Sequence, residues 1–207
     1  CDWSSDVCSS DLIHAISHDA SHYLLTPKLI AVPRDINEVS SLLAAATKTK
    51  MPVTFRSGGT SLSGQAVTDG LLIDTRSSFR KIVTKDGGQS ISVEPGSTVR
   101  AVNSRLLRFG RILGPDPASE IACTIGGVIA NNSSGITCGI HANSYKTLSA
   151  LTFVLPSGTT IDTSRADADE LLKTKEPQIY EGLIKLRARI ISNPNSMAII
   201  KIGRAHV

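Results

Sequence analysis

The stretch Phe55-Arg56-Ser57-Gly58-Gly59-Thr60-Ser61-Leu62-Ser63-Gly64-Gln65 decides how the rest of the chain reads. Pro52-Val53-Thr54-Phe55 leads into it as a short apolar strand. The stretch itself carries three glycines and four hydroxyls but a single charge. Glycine takes φ > 0 without penalty and lets another group approach the backbone closely. Successive backbone N–H groups in such a turn form a concave anion site, to which Ser and Thr hydroxyls add donors. The pattern therefore points to a cradle for a phosphate or pyrophosphate. A flexible Gly/Ser surface turn has the same composition, so this stretch alone leaves both readings open.

Two familiar phosphate loops do not fit it. A Walker loop needs G-x-x-x-x-G-K-[ST]; Gly59 and Gly64 have the spacing, but Gln65 and Ala66 stand where Lys and Ser/Thr belong. The lysine for the β/γ-phosphates and the hydroxyl for magnesium are both missing. A dinucleotide fingerprint needs G-x-G-x-x-G between strand and helix, and no such spacing occurs. Val67-Thr68-Asp69-Gly70 stops any helix before Leu71-Leu72-Ile73-Asp74 begins another strand. The loop joins strand to strand.

The run from Arg56 to Gln65, R-x-G-G-T-S-L-S-G-Q, resembles the pyrophosphate loop of the vanillyl-alcohol oxidase/p-cresol methylhydroxylase-type FAD-binding domain. Within that group it is most similar to D-lactate dehydrogenases, D-2-hydroxyglutarate dehydrogenases and the glycolate oxidase FAD subunit. The resemblance covers residues 27 to 165.

Upstream of the loop, Leu29 to Val32 is a short apolar strand broken by Pro33. Asp35 with Glu38 three residues on forms a capping box. Ile36, Val39, Leu42, Leu43 and Ala46 then recur at helical spacing through Lys48. Lys48 and Lys50 suit the negative end of that helix. Strand, helix and strand thus precede the loop.

Downstream, Leu71 to Asp74, Lys81 to Thr84 and Ser90 to Val93 read as strands, with Asp86-Gly87-Gly88 as a turn. Val99, Val102, Leu106, Leu107 and Phe109 predict an amphipathic helix closed by Gly110. Arg100, Arg105 and Arg108 read as its solvated charges. The stretch from Pro115 to Thr147, PDPASEIACTIGGVIANNSSGITCGIHANSYKT, is long, rich in small residues and poor in long apolar side chains. It cannot supply much core by itself. A long irregular segment of this kind is uncommon unless functional or disordered. Cys123-Thr124-Ile125-Gly126-Gly127 and Ala130-Asn131-Asn132-Ser133-Ser134-Gly135 resemble the family's second flavin contact region, and Asn143 to Thr147 its continuation. Ala150 to Leu155 and Thr159 to Asp162 form a hairpin around Pro156-Ser157-Gly158. From Asp167 the pattern is helical.

His14, His18 and His22 recur at i, i+4, i+8. On a helix they would share one face, which suggests a metal site. Only Asp19 stands near them, so a solvated or partner-facing stripe is the expectation, with no metal. His141 reads as a structural or surface residue.

The ends look foreign to the rest. Cys1 to Leu12, CDWSSDVCSSDL, and Ile202 to Val207, IGRAHV, match translations of a common sequencing-library adapter and its reverse complement. Such scars stand outside fold reasoning. The expected division is an adapter-like 1–12, an N-terminal extension 13–28, an incomplete FAD-binding domain 29–201 and an adapter-like 202–207. Setting the ends aside leaves Cys123 and Cys138, without C-x-x-C spacing, so neither a disulfide framework nor a zinc motif is indicated. That pair fits a reducing compartment. Hydrophobic content of 41% indicates a globular chain. With aromatics at 4%, no aromatic-interleaved basic patch for nucleic acid arises. No apolar run reaches the roughly 18 residues of a membrane helix.

The resemblance implies an α+β fold, a two-lobed FAD-binding domain truncated at its C-terminal side. It implies that Ser57, Gly58, Gly59, Thr60 and Ser61 hold the pyrophosphate and that Gln65 lies near the ring or ribityl end. Gly126, Gly127, Ala130 and Asn131 would line the isoalloxazine and ribityl chain, with Ser119 and Thr124 as further polar contacts. Some relatives tether flavin through a histidine in the first loop; this loop has none, so non-covalent FAD is expected. The implied reaction is oxidation of a small D-2-hydroxy acid, D-lactate, D-2-hydroxyglutarate or glycolate, by hydride transfer to flavin. The electron acceptor and the catalytic residues stay unassigned. A closing flavin strand, a substrate domain and the iron–sulfur module that some members carry are not among these residues, so the chain alone is expected to be inactive. The resemblance places the protein in the cytoplasm, or peripheral to the inner membrane. Two alternatives share parts of the pattern: a non-redox nucleotide-binding α/β module, and a different flavoenzyme of the same fold such as a peptidoglycan-precursor reductase.

Overall fold

The computed structural model describes residues 10–139 and 141–202. Residues 1–9 and 203–207, which make up most of the two adapter-like ends, lie outside the described residues. A short helix α1 (Ser10–Ala15) precedes strand β1 (Leu29–Ala31), helix α2 (Ile36–Thr49), and strands β2 (Val53–Arg56) and β3 (Leu71–Asp74). The three strands form one parallel sheet in the order β1-β3-β2. Leu71 pairs with Leu29 on one side and Val53 on the other, and Asp74 pairs with Arg56.

β3 is central, and its Leu71-Leu72-Ile73 is buried throughout. That explains its unbroken apolar run, since a central parallel strand has no solvated face. Ala46 of α2 packs with Leu71 and Ile73, joined by Ala31, Leu42, Met51 and Val53. At the start of α2, the Asp35 carboxylate accepts from the N–H groups of Asn37 (2.8 Å) and Glu38 (3.0 Å). Glu38 returns the contact one residue earlier than a capping box would, accepting from the Arg34 N–H at 2.8 Å. Caps of this kind contribute about 1 kcal/mol.

Strands β4 (Ile82–Lys85) and β5 (Ser90–Val93) form an antiparallel hairpin. Helix α3 (Val99–Leu106) follows and buries Val99, Val102 and Leu106. The predicted helix extended to Phe109; the structure tightens into a 3-10 turn over Leu107–Phe109, which ends on Gly110 at φ +65°. The tightening breaks the helical period, and it leaves Leu107 and Phe109 exposed.

The long small-residue stretch is not irregular throughout. It contains helices α4 (Ile125–Ala130) and α5 (Ser144–Thr147). Two glycines and β-branched neighbours give α4 poor intrinsic propensity, and four to six residues cannot hold a helix alone. Tertiary hydrogen bonds do it instead. The N–H groups of Ile125 and Gly126 donate to the carbonyls of Ser97 and Pro95, both at 2.9 Å. The fully buried Ser144 hydroxyl reaches the Val128 carbonyl within α4 and the Ser133 carbonyl beyond its far end.

Strands β6 (Thr152–Val154) and β7 (Thr160–Asp162) make the expected hairpin. Its turn rests on α2, where Ser40 donates to the Gly158 carbonyl and Thr47 to the Pro156 carbonyl. Helices α6 (Ala168–Lys175), α7 (Pro177–Ser192) and α8 (Pro194–Ile202) close the described chain. Neither α6 nor α7 has a buried residue.

The histidine stripe does not form. α1 ends at Ala15, so only His14 is helical, while His18 bridges to Leu24 in an extended segment. Just past the end of α1 the Ser17 hydroxyl donates to the Ile13 carbonyl at 2.6 Å. Arg100, Arg105 and Arg108 are exposed, as expected of solvated charges, and Arg100 pairs with Glu120 at 2.9 Å.

Candidate functional site

β2 and β3 run parallel as neighbours, so residues 57–70 must carry the chain from the end of one strand back to the start of the next. They do so without a helix. Gly59 and Gly64 take φ of +62° and +72°, conformations that a side chain makes costly. Gly58 is needed for a different reason. A Cβ there would lie 2.2 Å from the Ala122 carbonyl oxygen and 2.9 Å from its carbon. The first glycine-rich loop is thus pressed directly onto the second small-residue stretch.

A second contact locks the same junction. The Thr124 hydroxyl donates to the Ser57 hydroxyl at 2.7 Å, and Thr124 is 1% exposed. Below it, Val99, Cys123 and Val128 form a small core with Leu113 and Ile125. Thr98 and Thr124 form a β-bridge, which carries the backbone of this stretch across the start of α3. Ser97, 3% exposed, has a hydroxyl without a hydrogen-bond partner among the described residues.

The turn is rich in backbone donors. Among the described residues, the N–H groups of Gly58, Gly59, Thr60 and Ser61 find no acceptor. The Ser61 hydroxyl accepts from the N–H groups of Ser63 and Gln65 and contacts the Gln65 amide oxygen, each at 3.1 Å, which closes the turn after Ser61. Four consecutive N–H groups on a glycine turn suit an anion better than a neutral group.

The second stretch presents its residues unevenly. Gly126 is packed, with a Cβ position 2.7 Å from Pro95 Cβ. Gly127 is exposed, and a Cβ there would meet nothing within 4 Å. Ala130 and Asn131 are exposed one turn later; the Asn131 amide reaches the Ser133 hydroxyl at 3.4 Å. Ser119 lies a short way before the junction, its carbonyl accepting from Ala122 and Cys123. Burial pushes the Cys123 thiol up, partly offset by the Ser119 hydroxyl. Beyond α4 the chain is hooked back by Asp116, whose carboxylate accepts from the Thr137 hydroxyl and from the Thr137 and Cys138 N–H groups. Those bonds hold Asp116 below the usual carboxylate range, the Thr137 hydroxyl contributing most.

Of the residues expected from sequence, Ser57, Gly58 and Thr124 meet at the junction, and Gly59, Thr60 and Ser61 continue from it. Gly127, Ala130 and Asn131 are open, Gly126 is spent on packing, and Gln65 folds back onto Ser61. Asp19 and Arg56 were not foreseen as parts of the site. Arg56 is half-buried and donates from one nitrogen to the carbonyls of Ile16 (3.3 Å), His18 (2.8 Å) and Ala66 (3.3 Å). Burial pulls its pKa down, opposed by Asp19 and Asp74. Burial raises Asp19, but hydrogen bonds from Ser21 and Ala66, together with Arg56, outweigh that and leave it below the usual carboxylate value. No local spacing marks this pair, because its members lie 37 positions apart.

The FAD binding domain family model matches residues 27–164. Among curated proteins, the glycolate oxidase subunit GlcD of Escherichia coli K12 is 33% identical over 121 residues, covering 57% of this chain and 24% of that protein. A D-lactate dehydrogenase of Archaeoglobus fulgidus is 31% identical over 156 residues, covering 70% of this chain and 35% of that protein. A D-2-hydroxyglutarate dehydrogenase of Pantoea ananatis is 27% identical over 82% of this chain and 18% of its own length. The chain therefore spans between about a sixth and about a third of these relatives. Among solved structures, 6-hydroxy-D-nicotine oxidase from Arthrobacter nicotinovorans superposes with a TM-score of 0.68 at 19% identity, over 85% of this chain and 37% of that one. Alkyldihydroxyacetonephosphate synthase gives 0.65 at 22% identity, over 75% and 31%. At those identities the likeness is one of fold. Among the described residues no helix is long and apolar enough to cross a membrane.

Proposed function

This chain belongs to the FAD binding domain family, and from that premise we propose that it is the flavin-holding part of an oxidoreductase acting on a small D-2-hydroxy acid. One observation carries the site assignment: Gly58 and Ser57 of the first loop are docked on Ala122 and Thr124 of the second stretch. Two segments more than sixty residues apart thus form one continuous surface of backbone donors and small residues.

On this reading Gly58, Gly59, Thr60 and Ser61 hold the pyrophosphate through their N–H groups, and the Thr60 and Ser61 hydroxyls stand beside them. Ser57 and Thr124 keep the two segments in register. Gly127, Ala130 and Asn131 face the ribityl and ring portion, with Ser119 supporting the turn before them and Gly126 setting how closely α4 approaches Pro95. Gln65 braces Ser61 through its amide oxygen, which leaves its amide N–H groups to face the ring or ribityl end. The bound flavin supplies the hydride acceptor for the carbon that bears the substrate hydroxyl. The first loop contains no histidine, so the flavin is held without a covalent bond. Residues 29–201 form the flavin unit, and 13–28 are an extension laid against it. The D-2-hydroxy acid assignment, whether D-lactate, D-2-hydroxyglutarate or glycolate, is supported by the names of the relatives; the proton-abstracting group is not assigned to any residue of this chain.

The test has two stages. Purified chain is titrated with FAD and followed by flavin fluorescence; saturable binding is expected, and its absence ends the FAD assignment. The whole gene product is then mixed anaerobically with each of the three acids. Bleaching of the flavin band with one of them is expected, while bound flavin that none of them reduces would remove the substrate class and leave the cofactor.

A further inference from the structure

We propose that residues 16–20 are a strap that sets the donor geometry of the pyrophosphate loop, with Asp19 and Arg56 as positioning residues. The proposal rests on the FAD reading above. The strap touches the loop at its beginning, middle and end. Arg56, at the loop's beginning, reaches the carbonyls of Ile16 and His18 in the strap and of Ala66 at the loop's end. Asp19 accepts from the Ala66 N–H at 3.3 Å through one oxygen and from the Ser21 N–H at 2.8 Å through the other. In the middle, the Ala20 N–H donates to the Gly59 carbonyl at 3.1 Å.

That middle contact has a direct consequence for the donors. A trans peptide is planar, so its C=O and N–H point in opposite directions, and this chain has no cis peptide bond among the described residues. The Gly59 carbonyl and the Thr60 N–H belong to one peptide unit. Holding the carbonyl against Ala20 therefore aims the Thr60 N–H away from the strap. A glycine at φ +62° is otherwise free to rotate that peptide. The strap removes this freedom, and Asp19 with Arg56 fixes the strap at both flanks. A loop held in its binding geometry binds more tightly because less order is lost on association. By linkage, the anion bound at the loop must tighten the strap by the same factor.

The test uses the full 207-residue chain. Amide exchange at Ala20 and Ala66 is measured with and without FAD, and FAD affinity is measured for wild type and Asp19→Asn, with the melting curve as the folding control. FAD is expected to slow exchange at both amides. Asp19→Asn, nearly isosteric, is expected to weaken FAD by about tenfold, the scale of one charge-assisted hydrogen bond, and to lessen the protection of Ala20. Wild type and variant binding FAD equally, with Ala20 exchange indifferent to FAD, would overturn the coupling and reduce the strap to packing, while the FAD reading stood. Failure of the wild type to bind FAD at all would overturn both. If Asp19→Asn does not fold, the wild-type exchange comparison decides alone: protection by FAD supports the strap, and no change refutes it.

Discussion

Gly58 and Gly127 come from the two glycine-rich stretches that meet at the site, and they differ in what a side chain would encounter there. At Gly58 a Cβ would strike the Ala122 carbonyl at 2.2 Å; at Gly127 it would touch nothing within 4 Å. The first glycine is required by the protein's own packing. The second is not, since its backbone needs no positive φ and its surroundings are open. A small residue that the fold does not need is one that a ligand can explain. Crowded positions should therefore report on stability first and open positions on cofactor binding alone.

The largest effect is expected from Gly58→Ala. The obstacle is backbone, which cannot swing aside as a side chain can, so the junction must part. A loss of about 3 kcal/mol in unfolding free energy is expected, at the upper end for overpacking, with FAD binding lost alongside. Chemical denaturation measures it, and a loss below about 0.5 kcal/mol, the scale of a neutral surface change, would show that the two stretches are not pressed together.

Gly59→Val comes next. It meets the Arg56 guanidinium at 2.7 Å and sits at φ +62°. The backbone penalty is about 2 kcal/mol, and the guanidinium can move aside only by loosening its bonds to the Ile16, His18 and Ala66 carbonyls. FAD affinity should fall at least as far as stability does; unchanged affinity by fluorescence titration would make the loop only a turn. Thr124→Val keeps the shape and removes the hydroxyl pair with Ser57. The expected cost is about 1 kcal/mol, the usual net value of one hydrogen bond, read as a lowered denaturation midpoint with an unchanged slope.

Gly127→Ala sharpens the comparison because its two effects have opposite signs. Within α4, alanine in place of glycine should raise stability by about 0.5 kcal/mol, while the new methyl group weakens FAD binding. Equal FAD affinity in this variant would mean that the open face of α4 is not where the cofactor lies. The smallest effect concerns pH. Asp116 carries a depressed pKa in the folded chain. Between that value and the ordinary carboxylate range the unfolded chain binds more protons, so stability rises with pH there. The contribution is complete above the unfolded pKa and disappears as pH falls through the folded one. Melting temperature should therefore drop more steeply with acidification in wild type than in Asp116→Asn, and parallel curves would contradict it.

The elements nearest the first loop were readable because each has a local cause. The apolar run at Leu71 to Ile73, the Asp35 cap and the Gly110 stop all act within a few residues of themselves. The three-strand sheet was readable as strands, but the insertion of β3 between β1 and β2 was not, since pairing order leaves no mark on a strand that is apolar on both faces. Helix α4 was illegible for the opposite reason: its sequence argues against a helix, and the carbonyls of Pro95 and Ser97 supply what propensity lacks. His14, His18 and His22 kept a helical spacing without a shared helix, because α1 ends at Ala15 and His18 instead bridges to Leu24.

The residue types set the chemistry on offer: a strand running into R-S-G-G-T-S-L-S-G-Q, and a second stretch of small residues with hydroxyls and amides. Glycine content and hydrogen-bonding capacity are properties of residue types, so composition and spacing carry them. The folded arrangement settles which of those glycines are crowded by the protein and which stay open. It also decides that Arg56, at the start of the loop, and Asp19, 37 positions before it, clasp the loop and the segment around Asp19 together. Close approach and long-range hydrogen bonding depend on where distant backbone atoms arrive. No local pattern encodes that, because the fold as a whole places the Ala122 carbonyl against Gly58.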